Sequence, residues 1–396
     1  MSNNNKGKAL DNVSGSNDED LVTGTGSAEK VDAKAAADVA AGGAGDDWVK
    51  GGSGDDSIDG SAGSDQVDGG SGNDRLLYTV GENTGETDSY DGGSGANTLV
   101  LTMTKAEWMR DDVQADIAAY LLFLASTAPS ANGQNSSAGF LFSSLGLTAR
   151  RFTSLEVLVD GVPQDPRDET IVARDDESVT STEHSVVVGN VTDNDDVPDL
   201  VRAVELVAGP DKGSLVLNQD GSYVYDPGNA FDSLAEGEIA EISFTYKVSD
   251  ADRDSATATA RITIVGTNDV PIANVDIGTT DENQALLVDA LANDADVDAS
   301  DTHTVQSAVI ASGLGAVAIV NNQIEWKPGT DYDYLALNES ATVTVDYVMG
   351  DDKGATDSST LTITVVGSND APVANADTAS ADENQTLMVD VLVNDT

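Results

Sequence analysis

From Gly42 to Leu77 the chain repeats every nine residues: GGAGDDWVK (42–50), GGSGDDSID (51–59), GSAGSDQVD (60–68) and GGSGNDRLL (69–77). The units follow G-G-x-G-x-D-x-U-x with U apolar, Ser61 replacing one glycine. No ordinary core can be built from such units, because only the eighth position supplies an inward apolar side chain. What they can build is a stack of short strands, each burying one residue, turned by glycines that accept positive φ.

Counting in the same frame extends the array. Upstream, 15–23 places Asp20 and Val22 at the sixth and eighth positions, 24–32 places Glu29 and Val31, and 33–41 places Asp38 and Ala40. Downstream, 92–100 carries Asn97 at the sixth position, and 83–91 offers Asp88 and Tyr90, which leaves 78–82 as an insertion. The array is expected to run over 15–100 with eroded ends, because the terminal repeats of a solenoid must cap it.

Stacking aligns the sixth-position aspartates beside glycine-rich backbone carbonyls. That is an all-oxygen, anionic and flexible site, which suits Ca²⁺ with its 6–8 oxygen ligands better than Mg²⁺. The candidate ligands are the Asp47, Asp56, Asp65, Asp74 and Asp88 carboxylates with the first- and third-position residues Gly42, Ala44, Gly51, Ser53, Gly60, Ala62, Gly69 and Ser71. A flexible Gly/Asp linker is the alternative, but a linker has no need of Val49, Ile58, Val67 and Leu76 at every ninth position.

Residues 101–165 are not repetitive. KAEWMRDDVQADIAAYLLFLA (105–125) has helix-like apolar spacing, a Ser/Asn/Gly-rich break follows at 126–138, and SLEVLVDG (154–161) alternates as a strand. This stretch reads as a helix-containing connector or cap. Beyond it the period is longer. TNDVPIANVD (267–276) returns as SNDAPVANAD (368–377), and DENQALLVDALAND (281–294) as DENQTLMVDVLVND (382–395), each 101 residues on, with a divergent earlier copy from about 168. Ile242, Phe244, Tyr246 and Val248 alternate, as do Ala258 to Ile264, Val343 to Tyr347 and Leu361 to Val365. Hairpins turn at Asp220–Gly221 and Asn321–Asn322. Short alternating strands in units of this size predict antiparallel β-sandwiches. The expected organisation is therefore all-β: a disordered 1–14, a parallel β-roll over 15–100, the connector at 101–165, tandem sandwiches at 166–266 and 267–367, and the start of a third copy at 368–396 that reads as cut short.

The sandwich repeats carry acidic loops. Asp250 and Asp252 alternate in SDADRDS, as do Asp294, Asp296 and Asp298 in NDADVDASD; Asn268, Asp269 and Glu282 flank the predicted junction. None is an EF-hand loop, since the sixth and twelfth positions lack the required Gly and Glu. These residues are candidate metal ligands, weighed against a solvated acidic face.

Composition narrows the function. Nineteen Lys and Arg stand against 70 Asp and Glu, a formal charge of −51, which opposes nucleic acid or anionic membranes as partners. No cysteine is present, and the two histidines, His184 and His303, read as surface residues, so no catalytic site is expected. No signal peptide opens the sequence, and the longest apolar run, 117–125, is too short to span a bilayer.

The nonapeptide array resembles the RTX, or haemolysin-type calcium-binding, repeats of type I-secreted proteins. The long repeats resemble the VCBS and cadherin-like (Ig-like sandwich) repeats of large bacterial adhesins, with TNDVP and SNDAP as domain linkers and DEN (281–283) as an acidic junction motif. In 349–357 the adjacent Asp351–Asp352 departs from the D-x-D of that family. The resemblance implies a Ca²⁺-dependent extracellular or cell-surface protein, exported without an N-terminal signal and folding outside the cell, where metal binding supplies folding free energy. A non-enzymatic adhesin or its extender, with a cell-surface, matrix or self-association partner, is the reading that follows. The repeat region of a secreted enzyme or toxin, or a structural stalk, are the alternatives.

Overall fold

The computed structural model describes residues 10–127 and 137–395; the expected disorder of 1–9 and most of the break at 126–138 lie outside them. The N-terminal half begins with ten strands: β1 (Asp11–Ser14), β2 (Leu21–Thr23), β3 (Glu29–Ala35), β4 (Val39–Ala41), β5 (Trp48–Ser53), β6 (Ser57–Asp59), β7 (Gln66–Ser71), β8 (Arg75–Thr79), β9 (Asp88–Asp91) and β10 (Thr98–Met103). Odd strands stack in one parallel sheet and even strands in the other, so two nonapeptides make one coil. Val31 pairs with Val49 and Val49 with Val67, a register of 18, which becomes 23 at Val67–Tyr90 because 78–82 is inserted. Residues 11–14, expected to be disordered, pair with β3 as the first rung.

The roll's core follows the eighth position: Val22, Val31, Ala40, Val49, Ile58, Val67, Leu76, Tyr90 and Leu99 are all buried. Sealing each large member away from water contributes about 1.5–3 kcal/mol. Bends within and between strands depend on glycine. Gly52 sits at φ 115° with its would-be Cβ 1.9 Å from the Lys34 carbonyl, and Ser61 takes the same left-handed region at φ 67°.

The connector is two helices and four strands: α1 (Lys105–Trp108), α2 (Asp111–Ser126), β11 (Phe140–Phe142), β12 (Leu147–Arg150), β13 (Ser154–Val159) and β14 (Val162–Gln164). The single helix suggested by the apolar spacing is thus broken at Met109–Arg110. Val113, Ile117 and Tyr120 form its buried face, with Tyr120 packed on Phe140 and Phe142. β12 pairs parallel to β9 and β13 parallel to β10, so the connector contributes another coil. The antiparallel β11 and β14 then close the two sheet edges.

The first sandwich comprises β15 (Val179–Thr182), β16 (Val187–Asn190), β17 (Ala203–Ala208), β18 (Ser214–Leu217), β19 (Ser222–Asp226), β20 (Ile239–Ser249) and β21 (Ser255–Val265). The second repeats it with β22 (Asp276–Asp281), β23 (Leu286–Val288), β24 (Thr304–Ser312), β25 (Ala316–Val320), β26 (Gln323–Lys327), β27 (Ser340–Gly350) and β28 (Thr356–Val366). Each packs a four-stranded on a three-stranded sheet. The alternating residues named above are the buried faces, and the hairpin at Asn321–Asn322 carries both in positive φ. One pair in each is parallel, β15 with β21 and β22 with β28, because the first strand of each repeat joins the edge beside its last. Residues 368–395 form no strand.

Candidate metal centre

The sixth-position carboxylates form a ladder through the roll. Each accepts, through Oδ1, the backbone N–H of the sixth-position residue one coil earlier: Asp20 to Asp38 (2.8 Å), Glu29 to Asp47 (2.7 Å), Asp38 to Asp56 (2.9 Å), Asp47 to Asp65 (2.8 Å), Asp56 to Asp74 (2.9 Å) and Asp65 to Asp88 (2.9 Å). The second oxygen, Oδ2, of Asp38, Asp47, Asp56, Asp65, Asp74 and Asp88 is buried and has no hydrogen-bond partner. A buried carboxylate oxygen without a partner is costly, and six in register demand a counter-charge.

What those oxygens face is visible at the first glycine of each unit. A Cβ on Gly42 would lie 2.8 Å from Asp47 Oδ2 and 2.4 Å from the Gly60 carbonyl of the next coil. At Gly51 the pair is Asp56 Oδ2 and the Gly69 carbonyl (2.4 and 2.6 Å), and at Gly69 it is Asp74 Oδ2 and the Gly92 carbonyl (2.5 and 2.7 Å). At Gly60 the Tyr90 hydroxyl takes the carbonyl's place. The pockets at Gly42, Gly51 and Gly69, which any side chain at position one would fill, thus set a bare carboxylate oxygen and a carbonyl oxygen around one space, whereas at Gly60 a hydroxyl stands beside Asp65 Oδ2. The donor set is all oxygen and anionic, which fits Ca²⁺. The first-position carbonyls therefore lie against the bare carboxylates. Third-position carbonyls of Ser53, Ala62 and Ser71 accept backbone N–H groups of the preceding coil, and Ala44 bridges to Ala62.

Burial dominates the electrostatics. It pushes Asp47, Asp56, Asp74 and Asp88 up to about 6 and Asp65 up to about 7, with neighbouring carboxylates adding to the shift and the ladder N–H opposing it.

The ladder's ends are finished differently. Asp20 Oδ2 accepts the Ser16 N–H and hydroxyl, and Glu29 accepts from Thr25 and Ser27; both carboxyls are held below their usual range by these bonds. At the other end Asn97 accepts the Asp74 N–H (2.9 Å) and donates its amide to the Arg151 carbonyl (3.3 Å). The frame marked these units as eroded, but it did not show that local hydrogen bonds satisfy the end groups, two carboxylates and one amide. An outer row that the sequence reading passed over, Asp46, Asp55 and Asn73, accepts N–H groups of Ser64, Asn73 and Ala96 at the surface.

At the junction of the sandwiches, the Asn268 amide donates to Asp351 (3.0 Å), and the Asp269 N–H donates to Asp298 (2.7 Å). Asp269 Oδ2, Asn268 Oδ1, Asp298 Oδ1 and both oxygens of Asp301 are buried without a hydrogen-bond partner, although Asp301 Oδ1 lies 3.6 Å from Lys353 Nζ. Two residues outside the sequence reading join them. Glu183 is fully buried, with one oxygen bound to Thr267 and the other bare, and its ligand atom lies within 4.8 Å of those of Asp269 and His184. Asp301 and Asp351 group with Asp296, which His303 touches at 2.9 Å. His184 is therefore a junction residue, 3.9 Å from Asp232 and 3.8 Å from Asp269.

Four expected ligands are placed elsewhere. Glu282 serves the next boundary, accepting from Ser368 (2.7 Å), as Glu183 does from Thr267. Asp294 is a structural residue: it accepts the Asn274 N–H (2.6 Å) and lies against the Tyr347 hydroxyl (3.3 Å). Asp250 and Asp252 face the roll instead of the second sandwich. Among the described residues no helix is long and apolar enough to cross a membrane.

A model of the RTX calcium-binding nonapeptide repeat, four copies, matches residues 41–76, and one of the bacterial cadherin-like domain matches 162–266 and 268–367, just over half of the chain. Similar solved structures include Drosophila N-cadherin EC1-4 (15% identity, TM-score 0.34, 50% of each chain covered) and human mucin-like protocadherin EC1-2 (13%, 0.31, 47% of this chain and 100% of the other). The chain thus spans half the length of the first of these. No curated protein matches. The RTX repeats bind calcium, which is the ion the oxygen pockets fit, and both families are non-catalytic modules of extracellular type. The chain belongs to the bacterial cadherin-like domain family, with an RTX calcium-binding roll ahead of its two sandwiches.

Proposed function

We propose that the chain is part of a calcium-dependent surface adhesin, in which a roll that forms on calcium outside the cell is followed by sandwiches stiffened at their junctions. The observation that carries this is the row of six buried, unpartnered Oδ2 atoms from Asp38 to Asp88. At neutral pH and low calcium their mutual repulsion, within a chain of charge −51, opposes folding; at high calcium the ion joins successive coils. The ligands assigned are the carboxylates of Asp47, Asp56, Asp65, Asp74 and Asp88 with first-position carbonyls, and Glu183, Asn268, Asp269, Asp298, Asp301 and Asp351 at the sandwich junction. Export unfolded and folding on arrival follow from the same physics.

Adhesion is tested with beads coated with the full chain, mixed with one another and with bacterial cells. Clustering or cell capture in millimolar calcium that reverses in chelator supports the reading. Beads that stay dispersed although the protein folds on calcium would overturn the adhesive role and leave a passive spacer.

A further inference from the structure

The stack of odd-numbered strands changes register at one place. From β5 to β7 the step is 18 residues, and from β7 to β9 it is 23, because 78–82 is inserted. The change falls at the pocket of Gly60. At Gly42, Gly51 and Gly69 the next coil supplies a first-position carbonyl 2.4 to 2.7 Å from the point a Cβ would occupy. The nine-residue frame gives that role at Gly60 to Asn83, but the Asn83 carbonyl accepts the Glu86 N–H (3.1 Å) and closes the turn after the insertion. The Asn83 side chain is engaged as well, donating to the Thr79 carbonyl (3.1 Å). The repeat pattern by itself therefore leaves this pocket one oxygen short.

Tyr90 stands where that oxygen is missing. Its hydroxyl lies 2.6 Å from the Cβ point of Gly60, and Asp65 Oδ2 lies 2.7 Å from the same point. Asp65 is 1% exposed, and this oxygen has no hydrogen-bond partner. Tyr90 holds the eighth position of its unit, where other units carry Val49, Ile58, Val67, Leu76 and Leu99. An aliphatic side chain serves the core at those rungs; the phenol adds an oxygen. That oxygen accepts the Gly60 N–H (3.1 Å), its one hydrogen bond among the described residues. Tyr78 packs edge-on against the ring, with centroids 5.7 Å apart, and its own hydroxyl donates to the Leu145 carbonyl (2.6 Å). The Tyr90 hydroxyl is thus held at the pocket by packing on one side and by the Gly60 backbone on the other.

We propose that the Tyr90 hydroxyl oxygen is the calcium ligand that replaces the missing carbonyl on the Asp65 rung. The inference rests on the calcium reading of the ladder and adds a side-chain ligand that the nonapeptide pattern does not contain. A neutral hydroxyl oxygen can bind Ca²⁺ as a water oxygen does, and the flexible coordination of that ion tolerates exchanging one oxygen for another. The insertion can then interrupt the register of the stack without interrupting its row of ions.

The test counts bound calcium by equilibrium dialysis on the full chain, at a concentration that just saturates the wild type. Tyr90→Phe keeps the ring and removes only the oxygen, and it is expected to bind one ion fewer per chain. Tyr90→Leu, which matches the aliphatic rungs, is expected to lose the same ion and serves if the first variant folds poorly. Tyr78→Phe, which loses the bond to Leu145 but no pocket oxygen, is expected to keep the wild-type count. Asp65→Asn is expected to lose one ion, and adding Tyr90→Phe to it should remove no second ion, because both changes act on one site. Far-UV circular dichroism at saturating calcium reports whether each variant is folded. A wild-type count in a folded Tyr90 variant, or a further ion lost in the double variant, overturns the proposal and leaves the ladder in place. A wild type that binds no calcium overturns both.

Discussion

Asn97 and Asp74 occupy equivalent rungs one coil apart and solve the same problem differently. The Asn97 amide donates to the Arg151 carbonyl, whereas Asp74 Oδ2 faces the Gly92 carbonyl with nothing between them. One rung is closed by a hydrogen bond and the other needs a cation, although both accept the ladder N–H from the coil before.

Asp74→Asn is therefore expected to supply the missing donor. In chelator the variant gains one hydrogen bond and loses a buried charge, for about 1–2 kcal/mol of stability, which raises the roll's melting temperature by about 3–6 °C. It also binds less calcium. Asn97→Asp is expected to do the reverse, lowering the melting temperature in chelator and increasing the calcium stabilisation. Circular dichroism melts with and without calcium check both, and a variant pair that shifts in the same direction would contradict the assignment.

Removing calcium is expected to unfold the two halves unequally. The sandwiches have their own cores around Tyr246 and Tyr347, whereas rungs β2 and β4 to β7 of the roll each bury a single apolar residue. At 100 times its dissociation constant, each ladder ion contributes about 2.7 kcal/mol, so several together exceed the stability of an ordinary domain. Hydrogen exchange in chelator should show protection retained in β20, β21, β27 and β28 and lost throughout β3 to β10. Uniform loss, or none, would count against the ladder as the calcium-dependent element.

Acid is expected to stand in for calcium in part. Asp47, Asp56, Asp74 and Asp88 titrate near 6 and Asp65 near 7 in the folded roll, against about 4 in an unfolded chain. The folded state thus binds more protons between those values, so this contribution is fully present below pH 4 and is lost as pH rises through 6 to 7. In calcium-stripped buffer the roll should melt higher at pH 5 than at pH 8. Calcium affinity should move oppositely, rising across the same interval with release of protons. Calorimetry in two buffers of different ionisation enthalpy measures that release.

Much of this was legible in the sequence because the repeat is periodic. The eighth-position residues are the core, and the sixth-position frame extrapolated to Asp20, Glu29, Asp38 and Asp88 matches the hydrogen-bonded ladder. A period, however, says nothing about partners distant in sequence. That Arg151 supplies a rung carbonyl, or that 147–159 continue the roll, depends on a return of the chain after α2 that no local pattern encodes. At the sandwiches the acidic loops stood out, but alternation alone could not say which end of a domain each faces. Glu183 lies in TEH where the later copies read DEN, so it escaped notice, while Asp294 shared the D-x-D pattern of Asp296 and Asp298 yet points to Tyr347.

Gly51→Ala isolates the steric requirement of a pocket from that of the backbone. Gly51 does not occupy the left-handed region, so alanine is conformationally acceptable there, unlike at Gly52 with φ 115°. Its Cβ would nevertheless meet Asp56 Oδ2 at 2.4 Å and the Gly69 carbonyl at 2.6 Å. The expected outcome is loss of one ion per chain and at least a tenfold rise in the calcium concentration at the folding midpoint. Calcium titration followed by circular dichroism reads both, and a wild-type midpoint would show that no ion occupies that space.

Glu183→Gln tests the junction between the sandwiches. Glu183 Oε1 already binds the Thr267 N–H and hydroxyl at 2.6 Å, and a glutamine carbonyl can keep both bonds. Only the bare Oε2 is changed into an amide, in a residue whose carboxylate groups with Asp269 and His184. Each sandwich should therefore melt as before in chelator, while the calcium-dependent restraint between them weakens. Spin labels on exposed sites of β18 and β25 would report a distance distribution that narrows on calcium in the wild type and stays broad in Glu183→Gln. Equal narrowing in both proteins would mean that the junction is held by its hydrogen bonds alone, from Asn268 to Asp351 and from Asp269 to Asp298, with no ion between the domains.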